Sequence, residues 1–417
     1  MNWPYLTDPK RQIRAVFKQT PEDFEVEEIP LYLPSGNGEH LYLFIEKRDL
    51  TTDQVVRKLS QQLNIPAKNI GFAGKKDRQG VTRQWLSLLR ADEHFLLQLN
   101  IQGLKILEMS YHRNKLRPGH LRGNRFRIRL RETGPGAEKT VRHVLNELQA
   151  RGVPNYFGPQ RFGRRGDNAL VGAALVREDW RTAFDHILGL PGGDEGPGIT
   201  EARQRYHQGD FFGAARLWPQ AEFFPRTALR LLHETDGKLE IAGRRLPKNM
   251  LKFYVNALQS LLFNNSLARR LRALGEIWRG DLAYLHRNGA VFLVEDPEKE
   301  QPRADQFEIS PSGPIWGPKM IEPEGHETEL ENGVLAASGL TRGELFPALK
   351  HWRIPGERRA YRVPLREAAV HRDKDSLILE FTLPPGSYAT AVLRELLKDH
   401  FPAPKVAQIG ETPADKP

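Results

Sequence analysis

The first 90 residues carry apolar side chains in two alternating patterns, which predict strands with one helix between them. In residues 21–28 apolar side chains alternate with acids, and residues 40–46 consist mainly of β-forming side chains. Residues 52–64 repeat apolar side chains at helical spacing, with Thr52 as a candidate N-cap. Residues 85–89 return to the strand pattern.

The same periodicities continue to the end of the chain and predict further elements. The predicted strands are residues 126–131 and 376–382, and the predicted helices are residues 140–151, 250–272 and 389–398. The dipeptide Asn288-Gly289 predicts a hairpin turn. Residues 310–318 are rich in Pro, Gly and Ser, and we expect a loop there.

The composition changes along the chain and indicates more than one domain. Residues 1–179 and 361–401 carry similar strand and helix patterns. Residues 180–360 begin with a glycine-rich loop and short helical patterns interrupted by prolines, and we expect them to form a second α+β domain. Residues 402–417 are dominated by Pro, Lys, Asp and Thr, which predicts a disordered tail.

The charge and the absence of cysteine restrict the possible functions. The chain carries 62 Lys and Arg against 52 Asp and Glu, a net charge of +10, which favours a polyanionic partner such as nucleic acid. It has 0 cysteines, which excludes disulfides, thiolate nucleophiles and the Cys-ligated zinc of base deaminases. No long apolar run and no secretory signal pattern is present, so we expect neither a membrane span nor export.

One acidic residue stands in an unusually basic, glycine-rich segment. Asp77 lies among Lys75, Lys76, Arg78 and Arg83. Nearby positive charge favours an ionised carboxylate, and such a carboxylate could act as a nucleophile on an anionic substrate. The alternative is a charged surface turn between strands, which is common. The spacing of the glycines does not fit a Walker A motif.

Two further segments are typical of nucleic-acid binding. Residues 115–125 carry five basic side chains, and the strand predicted at 126–131 presents three arginines on one face, either solvated or facing phosphates. Residues 155–163 place Asn155 among aromatics, glycines and an arginine. Such a loop could bind a nucleobase by its edge and face, or it could be an aromatic turn in a core.

The segment from Gly74 to Gln84 resembles the catalytic signature of the TruD family of tRNA pseudouridine synthases. Four other segments resemble the same family in the same order, so the resemblance covers almost the whole chain. These segments are residues 18–24, 115–124, 155–163 and 383–393.

The resemblance implies an α+β fold and an activity. The fold is a pseudouridine-synthase catalytic domain, an antiparallel sheet flanked by helices, with an inserted α+β TRUD domain at residues 180–360. The activity is isomerisation of a uridine, uridine 13 of tRNA, to pseudouridine, without cofactor or metal. A cytoplasmic monomer is the corresponding expectation. Residues 190–245 look longer than in compact bacterial members, which could alter how the insertion contacts RNA.

The resemblance also implies roles for individual residues. Asp77 matches the nucleophile, and Tyr388 departs mildly from the phenylalanine usual in relatives. The substrate-binding residues implied are Phe24, Asn155, Tyr388, Phe157 and, as a charge partner, Lys18. The residues expected to contact RNA phosphates are Lys75, Lys76, Arg78, Lys115 and Arg122.

Two other functions remain open from the sequence. A non-catalytic protein that binds or folds structured RNA could use the same basic surface without any need for Asp77. A base methyltransferase would need a glycine-rich cofactor loop after a strand, and the sequence shows no convincing one.

Overall fold

The computed structural model describes residues 3–189 and 195–409. The chain divides into two compact units. The sheet unit consists of Thr7–Val153 and Val363–Phe401. The helical unit consists of the described residues of Met1–Leu6, Pro154–Arg362 and Pro402–Pro417.

Strands and α-helices have the following bounds. The strands are β1 (Phe24–Pro30), β2 (His40–Arg48), β3 (Ile70–Phe72), β4 (Val81–Leu89), β5 (Leu104–His112), β6 (Leu121–Leu130), β7 (Val153–Pro154), β8 (Leu282–Leu285), β9 (Val291–Leu293), β10 (Ile309–Ile315), β11 (Glu357–Ala360), β12 (Arg362–Val363), β13 (Arg366–Asp373) and β14 (Ser376–Leu383). The helices are α1 (Thr52–Gln62), α2 (Glu93–Leu97), α3 (Ala137–Arg151), α4 (Asn168–Val176), α5 (Trp180–Phe184), α6 (Pro197–His207), α7 (Phe211–Leu217), α8 (Phe223–Glu234), α9 (Leu239–Arg245), α10 (Lys248–Arg270), α11 (Pro297–Asp305), α12 (Gly325–Ala337), α13 (Arg342–His351) and α14 (Ala389–Leu397).

The sheet unit is built on one eight-stranded sheet. Seven strands follow the order β13-β14-β6-β1-β4-β2-β5, and β3 pairs with β4. The α+β class is confirmed, but the sheet is not purely antiparallel, because β1 and β4 run parallel with Glu25 opposite Val81. This parallel pair brings the start of β4, and the loop before it, beside the start of β1.

The core of the sheet unit follows the alternation seen in the sequence. Leu41 and Leu43 of β2 are fully buried, and they belong to one apolar cluster with Val55 and Leu59 of α1. Helix α1 has Thr51 as its N-cap, whose side chain accepts a hydrogen bond from the Gln54 backbone. The prediction that Thr52 caps the helix was wrong, and its hydroxyl is therefore available for other contacts.

The helical unit packs around the long helix α10. Leu251, Val255 and Leu258 of α10 belong to an apolar cluster with Val171 and Leu175 of α4. A four-stranded sheet in the order β11-β10-β8-β9 lies in the same unit. None of the helices in residues 3–189 and 195–409 is both long and apolar enough to cross a membrane.

The elements around the small sheet test two predictions. The hairpin at Asn288-Gly289 is confirmed, since it joins β8 to β9 with Gly289 at φ +76°. The loop predicted at residues 310–318 was wrong for most of its length, because β10 spans Ile309–Ile315. Its first half pairs with β8 and its second half with β11, so prolines that lack an N–H are tolerated.

The unit boundaries differ from the predicted domain boundaries. The chain passes between units at 153/154 and 362/363, where 179/180 and 360/361 were predicted, and it also does so at 6/7 and 401/402. The first boundary lies earlier because α4, which precedes residue 180, packs on α10.

The tail prediction was wrong for residues 402–409. Val406 is fully buried, and the Ala407 amide donates a 3.0 Å hydrogen bond to the Gly166 carbonyl. The rest of the predicted tail, residues 410–417, lies outside the described residues, as does part of the 190–245 stretch, residues 190–194.

Candidate active site

Asp77 lies on the loop between β3 and β4, with an exposed side chain. Gly80 closes this loop at φ +130°, and a Cβ added there would lie 2.4 Å from the Phe24 carbonyl oxygen. Only glycine fits both the backbone angle and the close approach. The loop that carries Asp77 is therefore fixed against the start of β1.

Uncharged hydrogen bonds anchor the loop from beneath. The Thr52 hydroxyl accepts a hydrogen bond from the Lys76 amide and donates one to Gln84 Oε1, both at 2.9 Å. Gln84 Nε2 in turn donates to the Gly74 carbonyl at 3.1 Å. Thr52 and Gln84 are both buried, so these bonds are shielded from water and hold the residue next to Asp77 in place.

A buried ion pair supports the same loop. Lys76 Nζ lies 3.1 Å from Glu28 Oε2 and donates to Asn124 Oδ1 at 2.5 Å. Glu28 Oε1 also accepts from the Trp85 amide at 3.2 Å. Burial raises the pKa of Glu28, although Lys76 opposes that rise. The expectation that Lys76 contacts phosphates was wrong, because its ammonium is enclosed in this pair.

Lys47 is a residue of this site that the sequence did not indicate. It is fully buried in β2. Its Nζ donates to three backbone carbonyls, those of Leu50 at 2.6 Å, Asp77 at 2.8 Å and Lys76 at 3.4 Å. Burial lowers the pKa of Lys47 to about 8, while the Asp77 charge acts in the opposite direction. The chain thus places a buried ammonium directly on the Asp77 backbone.

Lys18 is the second lysine whose protonation responds to Asp77. Its Nζ lies 4.1 Å from the centre of the Phe24 ring, a cation–π contact. Burial lowers the pKa of Lys18, and the Asp77 charge raises it. Lys18 and Asp77 thus interact electrostatically, and the role of Lys18 as a charge partner in the site stays a prediction.

The remaining cations next to Asp77 in the sequence have other partners. Lys75 forms a 2.8 Å ion pair with Asp53, and Arg78 Nε donates to the Asp49 carbonyl at 3.1 Å. Arg83 is paired with glutamates of β1 and β2. Lys18 and Lys47, which are distant in sequence, are lysines whose pKa responds to the Asp77 charge.

Phe24 belongs to an aromatic row across three strands. Its ring meets Phe126 of β6 edge to face at 6.3 Å, and Phe126 stacks on Phe381 of β14 at 5.4 Å. Phe24 is only 6% exposed. The row gives the residue a fixed ring orientation, with Lys18 over its face.

Tyr388 lies in the same unit, at the N-cap of α14 and half-buried. The strand before it, β14, ends at Leu383, which pairs with Asn124 of β6. Asn124 is also the residue that accepts the hydrogen bond from Lys76. The end of β14, which precedes the Tyr388 turn, and Lys76 of the Asp77 loop thus both contact Asn124.

Asn155 and Phe157 belong to the helical unit, and the residue that organises them is Arg359 of β11. Arg359 Nη2 donates to Asn155 Oδ1 at 2.5 Å, and the guanidinium lies 4.3 Å from the centre of the Phe157 ring. Asn155 Nδ2 donates to the Ala360 carbonyl at 2.9 Å, and Asn264 brackets the Phe157 backbone with two hydrogen bonds. The sequence carried no signal for Arg359.

The arginine face predicted on β6 is neutralised by acids. Arg127, Arg129 and Arg131 lie 2.9, 2.8 and 2.7 Å from carboxylates of neighbouring segments. The interpretation of this strand as a phosphate-binding face is therefore not supported. Lys115 donates to a backbone carbonyl at the surface and Arg122 is exposed, so both remain accessible to phosphates.

A metal site is not evident in the described part of the chain. No group of three or more His, Cys, Asp or Glu side chains there could hold a metal ion. The expectation that the protein works without metal or cofactor stays a prediction.

Comparisons with known proteins give one consistent result. A family model described as tRNA pseudouridine synthase D matches residues 1–396. A curated protein named tRNA pseudouridine synthase D from Geobacter sulfurreducens is 46% identical over 94% of this chain and 96% of its own length. A protein of the same name from Thermus thermophilus is 39% identical over 97% of both chains.

A solved structure agrees with these sequence matches. A Methanosarcina mazei protein assigned to tRNA pseudouridine synthase D superposes with a TM-score of 0.78 and 28% identity, over 95% of this chain and 99% of that one. The match covers nearly the full length of both chains, so fold and sequence point to the same group. The chain therefore belongs to the tRNA pseudouridine synthase D family.

Proposed function

We propose that this protein isomerises uridine 13 of tRNA to pseudouridine, with Asp77 as the nucleophile. The observation that carries the proposal is the Asp77 loop itself. An exposed carboxylate stands on a loop anchored by buried hydrogen bonds and by the ammonium of Lys47. A fixed carboxylate that solvent and substrate can reach is what nucleophilic catalysis on a flipped base requires.

The reaction needs no net oxidation and no second substrate. The bond from ribose C1′ to N1 of uracil breaks, and a bond from C1′ to C5 forms. The C5 proton leaves and N1 gains a proton, so atoms and electrons balance within an isomerisation. Asp77 could attack either C1′ of the sugar or C6 of the ring. The Asp77 charge acts to raise the pKa of both Lys18 and Lys47, so the carboxylate and the two ammonium groups interact favourably.

Binding of the flipped base is assigned to aromatic groups of the sheet unit. A uridine taken out of its stack loses a few kcal/mol, which contacts to its face and edge must offset. We assign this role to Phe24 and Tyr388, with Lys18 as charge partner. For the helical unit, taken by itself, we assign substrate contacts to Asn155 and Phe157, which Arg359 orients.

The RNA backbone is assigned to surface cations of the sheet unit. These are Lys75, Arg78 and Arg122, which are exposed, and Lys115, which is half-buried at the surface. The ion pair of Lys75 with Asp53 is itself at the surface and would exchange readily for a phosphate. A cytoplasmic monomer that needs no cofactor completes the proposal.

A pseudouridine map of tRNA tests the reaction and its position together. We expect tRNA from cells that lack the gene to have uridine at position 13, and complementation with the wild-type gene to restore pseudouridine there. Restoration at another position would reject uridine 13 but keep the enzyme. Equal modification in the presence and absence of the gene would favour the alternative, a non-catalytic RNA-binding protein.

The pKa of Lys47 predicts a loss of activity at alkaline pH. Only the protonated amine has three hydrogens for the three carbonyls that it contacts. Because burial lowers the pKa of Lys47 to about 8, the anchor weakens as the pH rises through that value. We expect kcat/KM to fall above about pH 8.

The Lys47→Arg variant provides the control for this profile. Arginine keeps its charge throughout the accessible pH range, so its residual activity should lack the alkaline limb. An identical limb in wild type and Lys47→Arg would assign the titration to another group.

A further inference from the structure

Helices α7 and α8 of the helical unit line an open groove of about 400 Å³. This groove lies in the 190–245 stretch, and none of the residues assigned above to catalysis or base binding lines it. Its lining contains no carboxylate. The side chains that define its chemistry are Phe212, Arg216, Phe223, Arg226, Arg230 and His233.

Two large aromatic rings are exposed at this groove. Phe212 is 56% exposed and Phe223 is 69% exposed. A single exposed phenylalanine needs no explanation on a protein surface. Two that border one concave surface, with cations between them, resemble the platforms on which proteins stack single-stranded bases.

The positive charge of the groove is largely uncompensated. Arg216 and Arg226 form no ion pair with any acid in residues 3–189 and 195–409. The Arg230 pair with Glu234 is long, at 3.7 Å, and exposed. Arg216 lies 6.0 Å from the Phe212 ring, and the His233 ring lies 5.4 Å from the same ring. Cations and ring faces are therefore presented together.

We propose that this groove binds a single-stranded segment of the RNA substrate, with bases on Phe212 and Phe223 and phosphates on Arg216 and Arg226. Charge complementarity favours RNA over a protein partner. The charged side chains in the lining of the groove are all basic, and the lining contains no large aliphatic side chain. The inference rests on the proposed function only in taking tRNA as the RNA concerned.

Two double variants and one matched control test the groove. Phe212→Ala/Phe223→Ala removes the platforms, and Arg216→Ala/Arg226→Ala removes two charges. The control is Arg272→Ala/Arg287→Ala, which removes two exposed arginines elsewhere in the same unit. The probes are an unmodified tRNA transcript with uridine at position 13 and a single-stranded oligouridine, both followed by fluorescence anisotropy against salt concentration.

We expect the aromatic double variant to bind both probes at least about thirtyfold more weakly, because the stacking of two bases is lost. We expect the arginine double variant to lower the slope of log Kd against log salt by about 1.4 for oligouridine. The control should show neither change. At saturating tRNA all variants should keep the wild-type kcat, since the groove carries no reacting group.

Wild-type affinity and salt slope in both groove variants would overturn the proposal, and so would an equal loss in the control. A failure of the proposed function has a different signature. The wild-type protein would then make no pseudouridine at position 13, while the groove variants would still separate from wild type in RNA binding.

Discussion

Asp77→Asn is expected to reduce pseudouridine formation by about 10⁴-fold or more, because an amide of the same shape cannot act as the nucleophile. The protein should fold normally, since the Asp77 side chain is exposed and Lys47 holds only its backbone carbonyl. Affinity for tRNA should be unchanged or slightly tighter, since one negative charge is removed from an RNA-binding surface. Single-turnover formation of pseudouridine, with anisotropy for binding, measures both quantities.

Asp53→Asn is the matched control for this experiment. Asp53 is an exposed carboxylate near the same loop, and its 2.8 Å contact with Lys75 is a surface pair. Such pairs contribute at most about 1 kcal/mol, so the variant should stay within about fivefold of wild-type activity. If Asp77→Asn were as active as Asp53→Asn, the nucleophile would have to be another group, or the protein would act on RNA without chemistry.

Most of the secondary structure could be predicted because its signals are local. The buried residues of β2 and α1 follow periods of two and about 3.6, and these periods depend on the backbone alone. Strand β10 could not be predicted in this way, because its prolines indicate a loop unless the pairing partner of each half is known. The ordered residues 402–409 likewise depend on a contact with Gly166, far away in the chain.

The candidate loop can be proposed from the sequence, but its ion pairs cannot. The motif around Asp77 singles out the loop, and the spacing predicts that the neighbours Lys75, Lys76, Arg78 and Arg83 surround Asp77 with positive charge. In the folded chain Lys75 and Lys76 are paired with Asp53 and Glu28, and the lysines whose pKa responds to the Asp77 charge, Lys18 and Lys47, come from other segments. Distance in space decides an electrostatic interaction, and sequence spacing beyond one loop or helical turn does not give it.

Loss of the buried ion pair between Lys76 and Glu28 is expected to have a large effect on stability. Lys76→Met is expected to lower the free energy of unfolding by about 3–5 kcal/mol, because Glu28 is then a buried carboxylate without a cation beside it. Urea unfolding at pH 7.5 measures the loss. Lys75→Met, which breaks an exposed pair, should cost at most about 1 kcal/mol.

The pH dependence of the loss in unfolding free energy tests separately whether the buried Glu28 carboxylate causes it. Burial raises the folded-state pKa of Glu28, and without Lys76 it should rise further. Below the unfolded value of about 4.3 the carboxyl is neutral in both states, so the loss in Lys76→Met should shrink as the pH falls toward that value.

A double variant separates stability from the positioning of the Asp77 loop. Lys76→Met/Glu28→Leu removes both charges, and apolar replacement of a buried pair is often neutral or stabilising, so stability should recover. Activity should stay low, because the ion pair of Lys76 with Glu28 and its hydrogen bond to Asn124, which support the Asp77 loop, are still missing. Recovery of activity together with stability would show that the pair supports the fold of the sheet unit and does not position Asp77.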